Sequence, residues 1–344
     1  MVSHEPVFIH GAALYNIDCV EGARRHLQDG SVDLIFTDPP YGIQSDRLHL
    51  HYNRDEGYVL DGYVEVRKEE YAEFSERWIK EAERVLRPGG SLYVVSGYTH
   101  LYEILHALRK TSLREVNHLV WRYSFGVFTK RKYISSHYHI LFYEKPGGER
   151  TFNAESRFGF SERSEDGRSP NSTDREDVWM INREYKPGRQ KNRNELPIEL
   201  VTKALQYSSR EGDLICDFFL GGFTTAKAAI GLGRRFVGFE LSPEIFRARI
   251  DEIRSLEEGW LLPKVRKPHL SSHVNRHKRW TEGERVRLKE LYSSLKEQGC
   301  SKKEILEITG RELGRGRWGL ERAIRRFIKK KNPNIEVDTD SPDK

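Results

Sequence analysis

Cysteine is scarce in this 344-residue chain: Cys19, Cys216 and Cys300 are the only three, with no CxxC and no Cys/His pair at ligand spacing. That spacing gives neither a disulfide framework nor a zinc site any support. Long hydrophobic runs are missing too, and no apolar stretch approaches the roughly 20 residues needed to cross a bilayer. The first twenty residues, MVSHEPVFIHGAALYNIDCV, lack a basic segment followed by an apolar one. No secretion signal is therefore expected, and the cytoplasm is the predicted compartment.

What is abundant is charge. Charged residues make up 32% of the chain against 37% hydrophobic, and the net formal charge is +6. Residues 260–344 carry 22 Lys and Arg against 12 Asp and Glu, whereas residues 1–259 carry 36 against 40. A basic appendage on a near-neutral body suits a protein that docks on a polyanion, because phosphate neutralisation supplies most non-specific nucleic-acid affinity. The plainer reading is a well-solvated surface.

Short apolar runs alternate with longer amphipathic ones through residues 7–260, which predicts an α/β domain with a mostly parallel sheet. Strands are expected in VDLIFTDPP (32–40), GSLYVVSG (90–97), HYHILFYEK (137–145), DLICDFF (213–219) and RRFVGFEL (234–241). Helices are expected at 71–86, closed by Pro88 and Gly89, at 196–209 and at 224–233. Between residues 146 and 195 the texture turns polar and rich in Gly, Ser, Asp and Arg, and this reads as an insertion outside the core. The segment 261–279, with two prolines and no periodicity, reads as a linker. Three helical stretches follow at 282–299, 301–313 and 317–331, with Ser301 and Glu304 spaced as a capping box and Trp280 and Trp318 as core candidates. Residues 332–344 form a polar tail.

The sharpest local feature is DLIFTDPPYGI, where an apolar strand runs straight into Asp38-Pro39-Pro40-Tyr41. The carboxyl end of a strand is where α/β sheets bind ligands. An exocyclic amine on a nucleobase is a poor nucleophile because its lone pair is delocalised into the ring. Acceptors aimed at its two protons localise that pair. The Asp38 carboxylate and the Pro39 carbonyl suit the task, with Pro39 and Pro40 fixing the carbonyl's direction. Tyr41 offers a face on which an unstacked base can rest. The bland alternative is a tight turn with Asp as a cap and Tyr as packing.

A second signal lies in GDLICDFFLGGFTTAKAAIGLGRRFVGFELS (212–242), which reads as strand, glycine turn, helix, and a strand ending in an acid. This is how a nucleoside-bearing cofactor is held: the turn admits close backbone approach and Glu240 can accept from ribose hydroxyls. No GK[ST] follows the turn, so a triphosphate is disfavoured against a sulfonium nucleoside.

In this order the segments resemble the beta class of DNA amino-methyltransferases, in which DPPY precedes the cofactor loop and target recognition lies between them. The resemblance covers most of residues 8–255, including LYNIDCVEGARRHLQDGSVDLIFTDPPYGI, WIKEAERVLRPGGSLYVVSG, SHYHILFYEKP and DFFLGGFTTAKAAIGLGRRFVGFE. It implies a Rossmann-like methyltransferase sheet with permuted motif order over residues 1–260, S-adenosyl-L-methionine as cofactor, and methylation of adenine N6 in double-stranded DNA. Cytosine N4 is the alternative amine; Asp at the head of the tetrapeptide is the more usual residue for adenine. With no Pro-Cys segment, attack through cytosine C6 is disfavoured. By the same resemblance Asp38, Pro39, Pro40 and Tyr41 are catalytic. Asp18, Asp38, Asp217, Phe219, Gly221 and Thr225 line the cofactor, and Glu240 holds its ribose. Asp18 reads equally as a helix cap and Phe219 as core.

Two departures stand out. Phe218 and Phe223 replace the proline and second glycine of the family's Asp-Pro-Phe-x-Gly-Ser-Gly-Thr-Thr loop, and a phenylalanine at a positive-φ position would be strained. The family's His-Pro-Thr-Gln-Lys-Pro stretch appears as NRNELP (192–197), which keeps only Pro197, with Lys191, Arg193 and Asn194 as candidate substitutes. These departures motivate a competing reading, a catalytically inert DNA-binding protein on the same fold. Target reading is assigned to the loop 44–63 and the insertion 147–190, with TKRKY (129–133) a candidate phosphate contact. The helices of residues 280–331 resemble a helix-turn-helix of the Myb/SANT type, against the alternative of an oligomerisation element. Localisation at the nucleoid follows from a DNA substrate. A homodimer and a restriction endonuclease partner are compatible with the resemblance, and neither is legible in the residues.

Overall fold

The computed structural model describes residues 6–41, 66–124, 130–184, 195–265, 275 and 280–329. The chain separates into two compact units, residues 1–268 and 269–344.

The first unit is built on nine strands: β1 (Val7–Ile9), β2 (Ala12–Asn16), β3 (Val32–Thr37), β4 (Leu86–Ser96), β5 (Arg114–Arg122), β6 (His137–Glu144), β7 (Val178–Met180), β8 (Leu214–Asp217) and β9 (Arg235–Glu240). They pair in the order β1-β2-β9-β8-β3-β4-β6-β5-β7. The five strands β2, β9, β8, β3 and β4 run parallel, while β1 and β6 pair antiparallel at either side of that block. Helices α1 (Cys19–His26), α2 (Tyr71–Val85) and α3 (Leu101–Arg109) supply apolar residues to the core on one face. Helices α5 (Ile198–Ser208), α6 (Thr224–Gly231) and α7 (Pro243–Arg254) supply the core on the other; a short α4 spans Pro170–Asp174. Burial on both faces explains why the central strands read as unbroken apolar runs instead of alternating ones. In β3, Leu34, Ile35 and Phe36 are all fully buried. Helix α2 forms because Tyr71, Ser75, Trp78, Ile79, Ala82 and Val85 recur at helical spacing and bury one stripe.

From β3 the chain passes through α2 to β4 on one side, and from β8 it passes through α6 to β9 on the other. The β3/β8 seam is therefore the point where strand order reverses, and the crevice above it is where such sheets bind ligands. Asp38 and Asp217 stand there, one just beyond β3 and the other ending β8.

Two sequence expectations need correction. The strand predicted at 90–97 begins at Leu86, so Pro88 and Gly89 lie inside β4. Gly89 takes φ +77 and donates its N–H to the Lys145 carbonyl at 2.7 Å, which continues the pairing with β6 past the proline. The polar insertion is also not wholly outside the core. Residues 178–180 add β7 in parallel to β5, and Trp179 and Ile181 are buried among the residues of the main core. The backbone has a side-chain anchor there, because the Trp121 indole N–H donates to the Ile181 carbonyl at 2.7 Å.

The second unit holds α8 (Glu282–Glu297), α9 (Lys302–Leu313) and α10 (Arg317–Ile324), followed by a single π turn at Arg325–Lys329. Thr281 with Glu284 and Ser301 with Glu304 form reciprocal capping boxes that start α8 and α9. Leu288, Leu306, Leu313 and Leu320 make its small core, with Trp280 packed against it. Arg315 is buried, paired with the Glu284 carboxylate at 2.8 Å and lying 4.7 Å from the Trp280 ring centroid. Arg317, Arg322, Arg325 and Arg326 are exposed. The side chain of Trp318, the loop 44–63, Thr129, Lys191, Arg193, Asn194 and most of the linker lie outside the described residues, whereas Lys130, Arg131, Lys132 and Tyr133 of TKRKY are described and exposed.

Candidate active site

Asp38 sits immediately after β3, and its Oδ1 is buried with no hydrogen-bond partner among the described residues. The carboxylate accepts a hydrogen bond from the Tyr41 hydroxyl. Burial pushes the Asp38 carboxyl up to about 8, helped by the nearby Asp217 and opposed by the Tyr41 hydrogen bond and the Arg183 guanidinium. A buried, under-coordinated acceptor is costly and rare, and such groups cluster where chemistry needs them.

The tetrapeptide is clamped from α2. The Tyr71 hydroxyl donates to the Pro40 carbonyl at 2.7 Å, and the Tyr71 ring lies stacked on His100 at 3.9 Å. Among the described residues no hydrogen bond reaches the Pro39 carbonyl. One proline carbonyl is thus occupied by the protein, and among the described residues its neighbour is left as an acceptor.

Beside the tetrapeptide lies an aromatic wall drawn from β5 and β6. Tyr41 stacks on Tyr138 at 5.4 Å, and Tyr138 stacks on Trp121 at 5.5 Å and meets Tyr123 at 5.7 Å. A cleft opens there, bounded by Tyr41, Tyr71, Gly97, His100, Tyr123 and Tyr138. Arg183, just past β7, caps this wall. Its guanidinium carbon lies 4.6 Å from the Tyr123 centroid, 5.2 Å from that of Tyr138 and 5.7 Å from that of Trp121. Sequence reasoning named none of Tyr71, His100, Trp121, Tyr123, Tyr138 or Arg183. One signal was available for Tyr138: it shares strand parity with Ile140 and Phe142, which face the core.

The second cluster gathers at the carboxyl ends of β8, β9 and β2. Asp217 is buried and accepts from the Thr37 hydroxyl at 2.8 Å, from the Phe219 N–H at 3.0 Å and from the Thr225 hydroxyl. Burial pushes its carboxyl up to about 7. Asp217 and Thr225 thus spend hydrogen bonds on each other and on β3, which shapes the turn. Both Glu240 oxygens accept backbone N–H bonds, from Gly221 at 2.9 Å and Ser242 at 2.9 Å, and burial raises its carboxyl. The Leu241 N–H is a third backbone donor to this carboxylate, which leaves about one of its four lone-pair sites for a ligand. Gly221 takes φ +46, the left-handed turn that lets its N–H reach Glu240. Asp18 caps α1 through Oδ1, accepting from Val20 N at 3.0 Å and Glu21 N at 3.1 Å. It lies two residues past Asn16, whose amide donates to the Glu240 carbonyl at 2.7 Å. The Phe219 ring is half-buried, edge-on to Trp78 at 5.5 Å.

Phe223 adopts φ +58 and ψ +22, the left-handed region anticipated as strained, and is fully buried with its ring 5.9 Å from that of Phe246. Of the NRNELP stretch, Glu195 and Leu196 pack on the glycine turn. Thr224 donates to the Leu196 carbonyl at 3.2 Å, and a Cβ added at Gly222 would come within 2.6 Å of Glu195 Cγ.

A family model described as DNA methylase, covering N6 and N4 enzymes, matches residues 32–251. The chain is 32% identical over 257 residues to the type II methyltransferase M.BamHI of Bacillus amyloliquefaciens, covering 69% of this chain and 56% of that protein. It is 26% identical over 252 residues to M.HinfI of Haemophilus influenzae, covering 69% of this chain and 67% of that one. The fold is similar to that of a Thermus thermophilus protein described as a DNA modification methylase and solved with S-adenosyl-L-methionine. That match has a TM-score of 0.50 and 23% identity, covering 70% of this chain and 92% of that one. It is also similar to the cytosine-N4-specific PvuII DNA methyltransferase, with a TM-score of 0.54 and 16% identity over 74% of this chain and 90% of that one.

Proposed function

Because this chain belongs to the N6/N4 DNA methylase family, whose pattern spans residues 32–251, we propose that it transfers a methyl group from S-adenosyl-L-methionine to adenine N6 in double-stranded DNA. The observation that carries this reading is the buried Asp38 Oδ1 at the β3/β8 seam, which, like the neighbouring Pro39 carbonyl, has no hydrogen-bond partner among the described residues, beside a tyrosine wall.

The rim residues fit the cofactor. Glu240 is fixed by three backbone N–H groups with about one lone-pair site left for a ribose hydroxyl, Gly221 keeps the turn close, and Asp18 and Phe219 flank the nucleoside end. Asp217 and Thr225 act by holding the turn. The cofactor supplies an electrophilic methyl on a sulfonium. The protein's part is to extrude the base, which costs a few kcal/mol of pairing and stacking, and to offer Tyr41 and Tyr138 as replacement stacking surface. Asp38 and the Pro39 carbonyl then accept hydrogen bonds from the two amine N–H groups and aim the nitrogen lone pair away from the ring. The N–C bond would form as the methyl–sulfur bond breaks and a neutral thioether leaves; the nitrogen then sheds a proton, and Asp38, pushed to about 8, is matched to take it and pass it to solvent. Adenine is favoured over cytosine by Asp at the head of the tetrapeptide. The exposed arginines of α10 and the π turn after it are read as a phosphate-docking surface.

The test is product analysis: protein, labelled cofactor and duplex DNA, followed by digestion to nucleosides. N6-methyladenine is expected. N4-methylcytosine would overturn the base assignment, and no labelled base would overturn the activity.

A further inference from the structure

Arg183 is a cation built into the target corner, and the reaction as described makes no use of it. Its neighbours in the chain are tied down on both sides. Ile181 N donates to the Arg122 carbonyl at 3.2 Å and Ser124 N donates to Asn182 Oδ1 at 3.3 Å, while Glu184 accepts from Ile198 N at 2.8 Å. The guanidinium rests on the Tyr123 and Tyr138 rings and hydrogen-bonds the Tyr138 side chain. Its charge is felt at Asp38 and at Tyr41. Yet the Nε–H is buried and has no acceptor among the described residues. A guanidinium offers five donors, and a buried one left unspent costs stability unless a ligand takes it.

The corner therefore presents two acceptors, Asp38 and the Pro39 carbonyl, next to a donor. An amino-bearing base shows the complementary edge: two amine protons beside a ring nitrogen that accepts. We propose that Arg183 is a base-reading residue that donates to the ring nitrogen flanking the target amine, N1 or N7 of an extruded adenine. This rests on the reading of Asp38 as the acceptor of that amine. Thymine has no exocyclic amine and carries a carbonyl where the amine must sit, so the same trio disfavours it.

The test is a cycle between one side chain and one ligand atom. The methylated position is first mapped in unmodified duplex DNA. Duplexes are then made with adenine, 1-deazaadenine or 7-deazaadenine at that single position. Wild-type kcat/KM should fall about tenfold to hundredfold for one of the two analogues, the value of a hydrogen bond to a charged group. In Arg183→Met the same analogue should turn over as well as adenine does, and Arg183→Lys should keep part of the discrimination. Because each comparison is a ratio within one variant, a general loss of activity or folding does not mimic the result. Equal turnover of all three bases by the wild type, or an undiminished analogue penalty in Arg183→Met, overturns the proposal. If mapping returns N4-methylcytosine, the adenine assignment falls alone, and the same cycle with 3-deazacytosine decides the role of Arg183. If no base is methylated, both fall.

Discussion

Replacing Asp38 by Asn should make the protein more stable, and increasingly so as the pH rises. The carboxyl ordinarily titrates at 3.8 and burial lifts it to about 8 in the folded chain. The folded state thus holds a proton that the unfolded state releases, so stability declines from about pH 4 upward and levels off near pH 8. Each pH unit in that window costs about 1.4 kcal/mol, which gives a ceiling of about 2 kcal/mol at pH 5 and about 4 kcal/mol at pH 7. Asp217, itself pushed to about 7, titrates with Asp38 as a pair. The differential between the two pH values is about 2 kcal/mol, and it belongs to the pair. Asparagine cannot titrate, keeps the shape, and retains an oxygen for the Tyr41 hydroxyl. Calorimetric melting of wild type and Asp38→Asn at pH 5 and pH 7, at one ionic strength, reads the difference directly. The stabilising shift should be larger at pH 7 by roughly 4–8 °C, taking the conversion for a domain of this size. An identical shift at both pH values would refute the claim that a buried carboxyl is being held neutral.

Other outcomes follow from the same geometry. Methyl transfer should rise with pH through about 8, because the ionised Asp38 is the acceptor and its folded value is raised; a flat kcat/KM profile from pH 6.5 to 9 would contradict this. Asp38→Ala should abolish transfer while leaving S-adenosylmethionine affinity by calorimetry within about twofold, and retained turnover would defeat the assigned role. Phe223→Gly should destabilise: relief of a left-handed phenylalanine returns about 1–2 kcal/mol, but emptying its buried site costs about 3–5 kcal/mol. A net loss of about 2 kcal/mol in urea unfolding is expected, and a gain would mean that strain outweighs packing. Deleting residues 263–344 should weaken DNA binding and flatten its salt dependence without changing cofactor affinity; unaltered binding at 150 mM salt would remove the helical unit from DNA docking.

The parts legible in the residues were those whose signal is contiguous. The run 33–41 carries both a core strand and the tetrapeptide, and 212–242 carries strand, turn, helix and acid in one stretch. Even the strain at Phe223 could be anticipated from a missing glycine. What stayed hidden is assembled across the sheet. Tyr41, Tyr123 and Tyr138 come from three separate stretches, and only the β4-β6-β5 pairing brings their rings together. Arg183 was harder still, because β7 is three residues long within a polar stretch and has no periodicity to detect. Its anchor, the Trp121 indole to the Ile181 carbonyl, is a contact across 60 positions.

The bond from Tyr71 to the Pro40 carbonyl closes a circuit. It joins the residue just before position 41 to the first turn of α2, so the chain leaves and re-enters the rim at one riveted junction. With both ends fixed by that bond, the entropy of closing the connection between positions 41 and 66 would change only with the logarithm of the number of residues it holds. The placement of Asp38, Pro39 and Pro40 would be untouched by such a change, because the Tyr71 bond holds the tetrapeptide from α2.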